Sequence, residues 1–286
     1  MVLVMFLLGL LYVAAIAFLI ARGFNAVFVL VIAAGALAAQ WYFSDKVALA
    51  AMKAHEVTPA EAPQLHGTID RLTALANMPK PRIAISDIDT PNAFATGRSR
   101  KHSVVVVTTG LMRRLDQAEL EAVLAHELSH IAHRDVAVMT VASFLGVLAG
   151  FVARTSMYAG IGRSRDQRQQ AAVLVVVLVS VAVYAISFLL LRALSRYREL
   201  AADRAAAYLT GQPSALAAAL TKISGQMASI PTEDLRKMEP VNAFMFAPPS
   251  TTTKGVNLAQ IFATHPPLEK RIAQLATVAT ELGRPL

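Results

Sequence analysis

Cysteine is missing from all 286 residues. That excludes disulfides and thiolate ligands, so any bound metal must be held by nitrogen and oxygen, and it fits a reducing compartment. Charge is also scarce: Asp, Glu, Lys and Arg make up 16% of the chain, against about 25% in ordinary soluble proteins. There is one tryptophan, and neither an internal repeat nor a recognisable nucleic-acid motif. The charge that is present leans basic, with a net +8 and a pI near 10.0. Arg192, Arg196 and Arg198 directly follow an apolar run, so anionic lipid headgroups account for that cluster more simply than nucleic acid, and no nucleic-acid partner is expected.

Apolar residues fill the space instead. They form 55% of the chain, with a mean hydropathy of +0.50, beyond soluble norms. Residues 1–20, 24–43, 136–152 and 171–191 are uncharged runs, each near or at the ~20 residues that cross about 30 Å of hydrocarbon. No basic segment precedes the first run and the second begins within four residues, which predicts an uncleaved hairpin turning at 22–25 rather than a signal peptide. The expected fold is a mainly α integral membrane protein with a helical metallopeptidase domain, a small β-sheet and about four membrane helices. Its expected parts are an N-terminal transmembrane hairpin (1–43), a soluble part (44–135), a second hydrophobic hairpin (136–191) and a C-terminal part (192–286).

In the soluble part, residues 55–75 read as one or two helices punctuated by Thr58-Pro59 and Ala62-Pro63. Residues 83–85 are a short strand candidate, and 104–108 are the strongest one, a β-branched run closed by Gly110. Residues 92–96 lie between them and can pair as an edge, to which a peptide can add as a further strand. Residues 213–230 predict an alanine-rich helix stopped by Pro231, and 240–257, with three prolines, a loop.

The chemistry concentrates in His126-Glu127-Leu128-Ser129-His130, an H-E-x-x-H pattern. Asp116 and Glu119 have capping-box spacing, and Leu120, Val123, Leu124, Leu128 and Ile131 recur at helical intervals. On such a helix, positions i and i+4 share a face, so the two imidazoles can bind one zinc ion, while Glu127 stands beside them as a general base. The longer metzincin pattern needs a glycine at 133 and a histidine at 136, where His133 and Val136 stand.

A catalytic zinc needs a third protein ligand. Glu199 and Asp203, four apart beyond the fourth run, share a helix face. Glu199 is the candidate ligand, and Asp203 the candidate acceptor for the far nitrogen of a ligating histidine. His130 lies six residues before the third run and Glu199 eight after the fourth. At ~1.5 Å per residue they stand roughly 9 and 12 Å beyond the hydrocarbon, on the same side of a hairpin.

Taken in order, several segments resemble the HtpX family of membrane zinc metalloproteases, in the gluzincin group that includes the CAAX prenyl endopeptidases. They are the N-terminal apolar pair, Pro91-Asn92-Ala93-Phe94-Ala95-Thr96-Gly97, Thr109-Gly110-Leu111, the H-E-x-x-H helix, the two later apolar runs, Glu199 to Asp203, and Thr264-His265-Pro266-Pro267-Leu268-Glu269. The resemblance implies one Zn2+ per chain held by His126, His130 and Glu199, with Glu127 as catalytic base. It implies endoproteolysis of damaged or misassembled membrane proteins in the bacterial inner membrane, with the site facing the cytoplasm. It sets Asn92 near a substrate-binding edge and His265 near the active site, where His265 either stabilises the transition state or caps the helix running on from Leu268. Other readings are a prenyl-protein processing peptidase, for which four spans are few, and a metal-binding scaffold without turnover. The charges oppose one another on orientation: Arg154, Arg163, Arg165 and Arg168 draw the loop between the third and fourth runs inward, while Lys46, Lys53 and the arginines after the fourth draw the catalytic side inward.

Overall fold

Four consecutive valines, Val104 to Val107, have no solvent exposure, as expected of a central strand covered on both faces. A computed structural model of the chain describes residues 41–135, 138–139, 167–229 and 265–286, with 31, 35, 38 and 39. Within these residues the elements run α1 (Ser44–Ala51), β1 (His55–Glu56), α2 (Pro63–Leu75), β2 (Arg82–Ser86), β3 (Ala93–Ser99), β4 (His102–Thr108), α3 (Thr109–Arg114), α4 (Gln117–Ala132), α5 (Gln167–Thr210), α6 (Pro213–Ser229) and α7 (Leu268–Glu281). The apolar run 1–20, most of the runs 24–43 and 136–152, and the loop 240–257 lie outside the described residues.

The sheet has the order β1-β2-β4-β3. β2 and β4 are parallel, while β1 and β3 pair antiparallel to their neighbours. β3 is therefore an edge strand. Alternation along β4 divides the core. Val104 and Val106 join Ala48 and Met52 of the α1 segment with Ala84 and Phe94. Val105 and Val107 face Ile69 and Leu72 of α2, Leu124 and Leu128 of α4, Leu220 of α6 and Leu275 of α7 in the larger cluster.

Two compact units are present, residues 1–40 with 138–195 and residues 41–137 with 196–286. The sheet, its covering helices and every candidate site residue belong to the second. In the first, the described residues are chiefly the start of α5, where Leu174, Leu178, Val181, Tyr184, Ile186 and Leu189 are exposed. Val177–Thr210 is the one helix, among the described residues, long and apolar enough to cross a membrane.

The strands predicted at 83–85, 92–96 and 104–108 form, as do the helices at Pro213 and Leu268. The reading of 55–75 as helix needs correction. His55 and Glu56 pair with Ile85 and Ala84 instead, and Glu61 closes a turn by accepting from the Thr58 N–H at 2.7 Å and its hydroxyl at 2.8 Å. Helix begins only at Pro63, whose fixed φ suits the first helical position.

Candidate metal centre

The helix bearing the two histidines is fixed well before it reaches them. Asp116 Oδ1 accepts from the Glu119 N–H at 2.9 Å, and Glu119 Oε2 accepts from the Asp116 N–H at 3.0 Å, completing a capping box. The Glu119 carboxylate also meets Lys222 of α6 at 2.5 Å. This anchored start sets the rotation of α4 and sends His126 and Glu127 into the interior, leaving His130 half-buried.

The two imidazoles turn Nε2 toward one point, 3.1 Å apart. Two nitrogens at ~2.0–2.1 Å from a tetrahedral zinc are separated by about 3.3 Å, close to this spacing. Their opposite nitrogens are engaged by carboxylates: His126 Nδ1 lies 2.9 Å from Asp203 Oδ1, and His130 Nδ1 lies 2.6 Å from Asp135 Oδ2. A proton held on each Nδ1 leaves the Nε2 lone pairs for a cation.

α5 continues without a break from its apolar stretch to Thr210, and that continuity delivers the third donor. Glu199 Oε2 lies 3.6 Å from His126 Nε2, and Oε1 lies 3.4 Å from His130 Nε2. One donor atom from each of the three residues falls within 4.8 Å of the others. Among the described residues, Glu199 Oε2 is buried without an aligned hydrogen-bond donor, His265 Nδ1 approaching it at 3.0 Å. A buried carboxylate oxygen facing two imidazole nitrogens is what a cation, taking the place of the Nε2 protons, would satisfy, and the donor set fits zinc.

One turn along α5, Asp203 has no solvent exposure. Arg271 of α7 grips it with two hydrogen bonds, Nε to Oδ2 at 2.7 Å and Nη2 to Oδ1 at 2.6 Å. On the other side, Arg198 Nη2 lies 2.8 Å from Asp135 Oδ2. Adjacent residues of α5 thus serve the same centre, Arg198 through Asp135 and Glu199 directly.

Burial raises the Glu127 carboxyl above its ordinary range, against the pull of the nearby imidazoles and of a hydrogen bond from the Ala95 backbone. For His130, burial opposes the charged form, but Asp135 and Glu199 outweigh it and raise the group to about 10.

The structure brings His126, Glu127, His130, Glu199, Asp203 and His265 together. Asn92 lies just before β3, where its C=O accepts from the Thr108 N–H at 2.9 Å. The proposal that His265 caps the following helix fails, because Pro267 occupies the N-cap and no side chain caps that end. His133 is exposed, with Nδ1 2.8 Å from Ser129 O. Arg198 requires a correction: its side chain is 13% exposed and paired with Asp135, so it does not belong with headgroup-facing arginines. Asp135 and Arg271 were not foreseen. Their signals were an acid immediately before an apolar run, and an arginine inside the apolar stripe of Leu268, Ile272 and Leu275.

The sequence pattern of Peptidase family M48 matches residues 59–279. The chain belongs to this family. It is 59% identical over 280 residues to Protease HtpX homolog 1 of Streptomyces coelicolor, covering 98% of this chain and 91% of that relative. It is 50% identical over 284 residues to Protease HtpX homolog 2 of Methanosarcina acetivorans, covering 99% and 95%. The crystal structure of S. mikatae Ste24p shares the fold with a TM-score of 0.57 at 17% identity, covering 93% of this chain and 62% of that one. The chain is therefore an HtpX-type M48 metallopeptidase with a His-His-Glu metal site of the H-E-x-x-H kind.

Proposed function

We propose that this M48 peptidase is a membrane-embedded zinc endopeptidase that cuts damaged or misassembled membrane proteins, with its site on the cytoplasmic side of a bacterial inner membrane. The observation that supports it best is the convergence of His126 Nε2, His130 Nε2 and the unsatisfied Glu199 oxygen around one point, with buried Glu127 beside them. Residues 1–43 and 136–191 supply the membrane hairpins in this reading, and the exposed apolar surface of α5 supports the second. The other three apolar runs, which lie mostly outside the described residues, complete about four spans in this reading.

A bound zinc supplies Lewis acidity, polarising the scissile carbonyl and acidifying water. The chain's own residues do the rest. The outer edge of β3 receives the substrate as an added strand, starting near Asn92. Glu127, its carboxyl already raised by burial, takes a proton from the attacking water and returns it to the leaving amine. His265, next to Glu199, donates to the oxygen on which charge develops. Asp203 and Asp135 hold the imidazoles in one tautomer throughout.

The experiment is Glu127→Gln in the purified full-length chain, read by zinc content and by cleavage of an unfolded protein. One zinc per chain is retained and cleavage falls by a factor of about a hundred or more. Undiminished cleavage removes Glu127 from the reaction. Zinc bound at full stoichiometry by the unaltered chain without any chelator-sensitive cleavage supports a scaffold instead.

A further inference from the structure

Among the described residues β3 is the open edge of the sheet, and its geometry changes abruptly three residues past Ala95. The Thr108 N–H donates to Asn92 O at 2.9 Å, so the backbone groups of Phe94 and Thr96 turn toward β4 while those of Ala93, Ala95 and Gly97 turn outward. The outward Ala95 N–H reaches Glu127, which fixes where along this edge the reacting bond would lie. At Gly97 φ is +137°, and a Cβ there would meet His102 O at 2.2 Å, so only glycine fits. Pairing then slips between Gly97↔Ser103 and Ser99↔His102, leaving Arg98 as the extra residue of a β-bulge. Bulges beside active sites re-aim side chains.

This bulge forms one wall of a small cleft open to solvent. Thr96, Arg98, Ser99, His130, Arg134 and Asp135 are among its lining residues. Arg98 is held in place: its C=O accepts from Trp41 Nε1 at 3.0 Å, and its guanidinium lies 4.5 Å from the centre of the Tyr42 ring. Arg134 also lines the cleft, just past the end of α4, at a positive φ of 56°. The lining carboxylate, Asp135, is already matched by Arg198 and His130. Among the described residues, no acid pairs with Arg98 or Arg134. The cleft is therefore cationic, lies beside a metal ligand, and ends the strand edge along which a peptide would run.

Resting on the peptidase reading above, we infer that this cleft is a specificity subsite for a carboxylate side chain of the extended substrate, with Arg98 and Arg134 as its recognition residues. Strand rise is ~3.3 Å per residue, so the side chain it takes stands about two to four residues from the scissile bond.

The test uses the zinc-loaded full-length chain in neutral detergent and internally quenched peptides that differ only in carrying Glu, Gln or Lys at each position outward from the cleaved bond. At one position in that window the Glu peptide shows a kcat/KM about fivefold above the Gln peptide, with Lys lowest, and the ranking shrinks in high salt. Arg134→Glu, at an exposed position, inverts the Glu-to-Lys order, and Arg98→Gln lowers the Glu-to-Gln ratio toward one. Equal rates for the three peptides overturn the subsite while leaving the peptidase standing. A zinc-bound chain that cleaves none of them overturns the peptidase reading, and the subsite with it. Arginine-dependent rates that follow the phosphatidylglycerol content of vesicles rather than peptide charge assign both side chains to headgroups and overturn the subsite.

Discussion

The two metal-facing histidines are braced by the same chemistry in two different settings. Behind each imidazole stands a carboxylate, and behind each carboxylate an arginine. On the His126 side, Asp203 and Arg271 are fully enclosed and joined by two hydrogen bonds. On the His130 side, Asp135 and Arg198 meet through one guanidinium nitrogen, and the Arg198 side chain keeps 13% of its exposure. The inner brace excludes water and tolerates no unmatched charge. The outer brace sits at the rim, where its aspartate also lines the cationic cleft. One arm of the centre is thus built for rigidity and the other for access.

Breaking the inner brace has the largest effect. Arg271→Ala leaves the Asp203 carboxylate buried without its partner, at a cost of about 3–5 kcal/mol. Denaturant unfolding of the metal-free protein measures this loss, and a change below about 1 kcal/mol, the range of surface pairs, would contradict the asymmetry. Next come the carboxylates. Asp203→Asn and Asp135→Asn each weaken zinc binding, within the ~10–100-fold range for outer partners of ligating histidines. Competition titration with a chromophoric chelator should find the inner substitution more damaging; the reverse order would invert the comparison.

The last effect is one of pH. His130 of the metal-free protein is raised to about 10, above an ordinary value of about 6.5 in the unfolded chain. Its contribution to stability is full below pH ~6.5 and is lost as pH rises through about 10. Zinc requires the neutral imidazole, so uptake near pH 7 releases a proton, and affinity climbs across that same interval. Calorimetry in buffers of different ionisation enthalpy checks the release, and its absence would mean that the outer carboxylates do not hold His130 charged.

Local spacing made much of the centre legible. His126, Glu127 and His130 lie within one turn or so of a helix whose cap, Asp116 with Glu119, is itself written in the sequence, and Glu199 with Asp203 repeats the i, i+4 rule. The valine run announced β4. What escaped depended on chain reversal or on distant partners. Asp135 returns to His130 only because α4 stops at Ala132 and Arg134 takes a positive φ, a position where glycine or asparagine would ordinarily mark the end. Arg271 meets Asp203 across 68 residues, a separation no periodicity reveals. Asn92 was readable as part of an edge, but not which of its neighbours would turn a backbone N–H toward the base; that followed from the register of β3 on β4. The helical reading of 55–62 failed because β2 offered His55 and Glu56 a strand partner distant in sequence.

Arg271 has a further consequence for synthesis. During translation both histidines, Glu199 and Asp203 emerge before it, and until α7 exists the aspartate lacks the guanidinium that grips it inside. A nascent chain therefore carries all its ligands without an assembled centre.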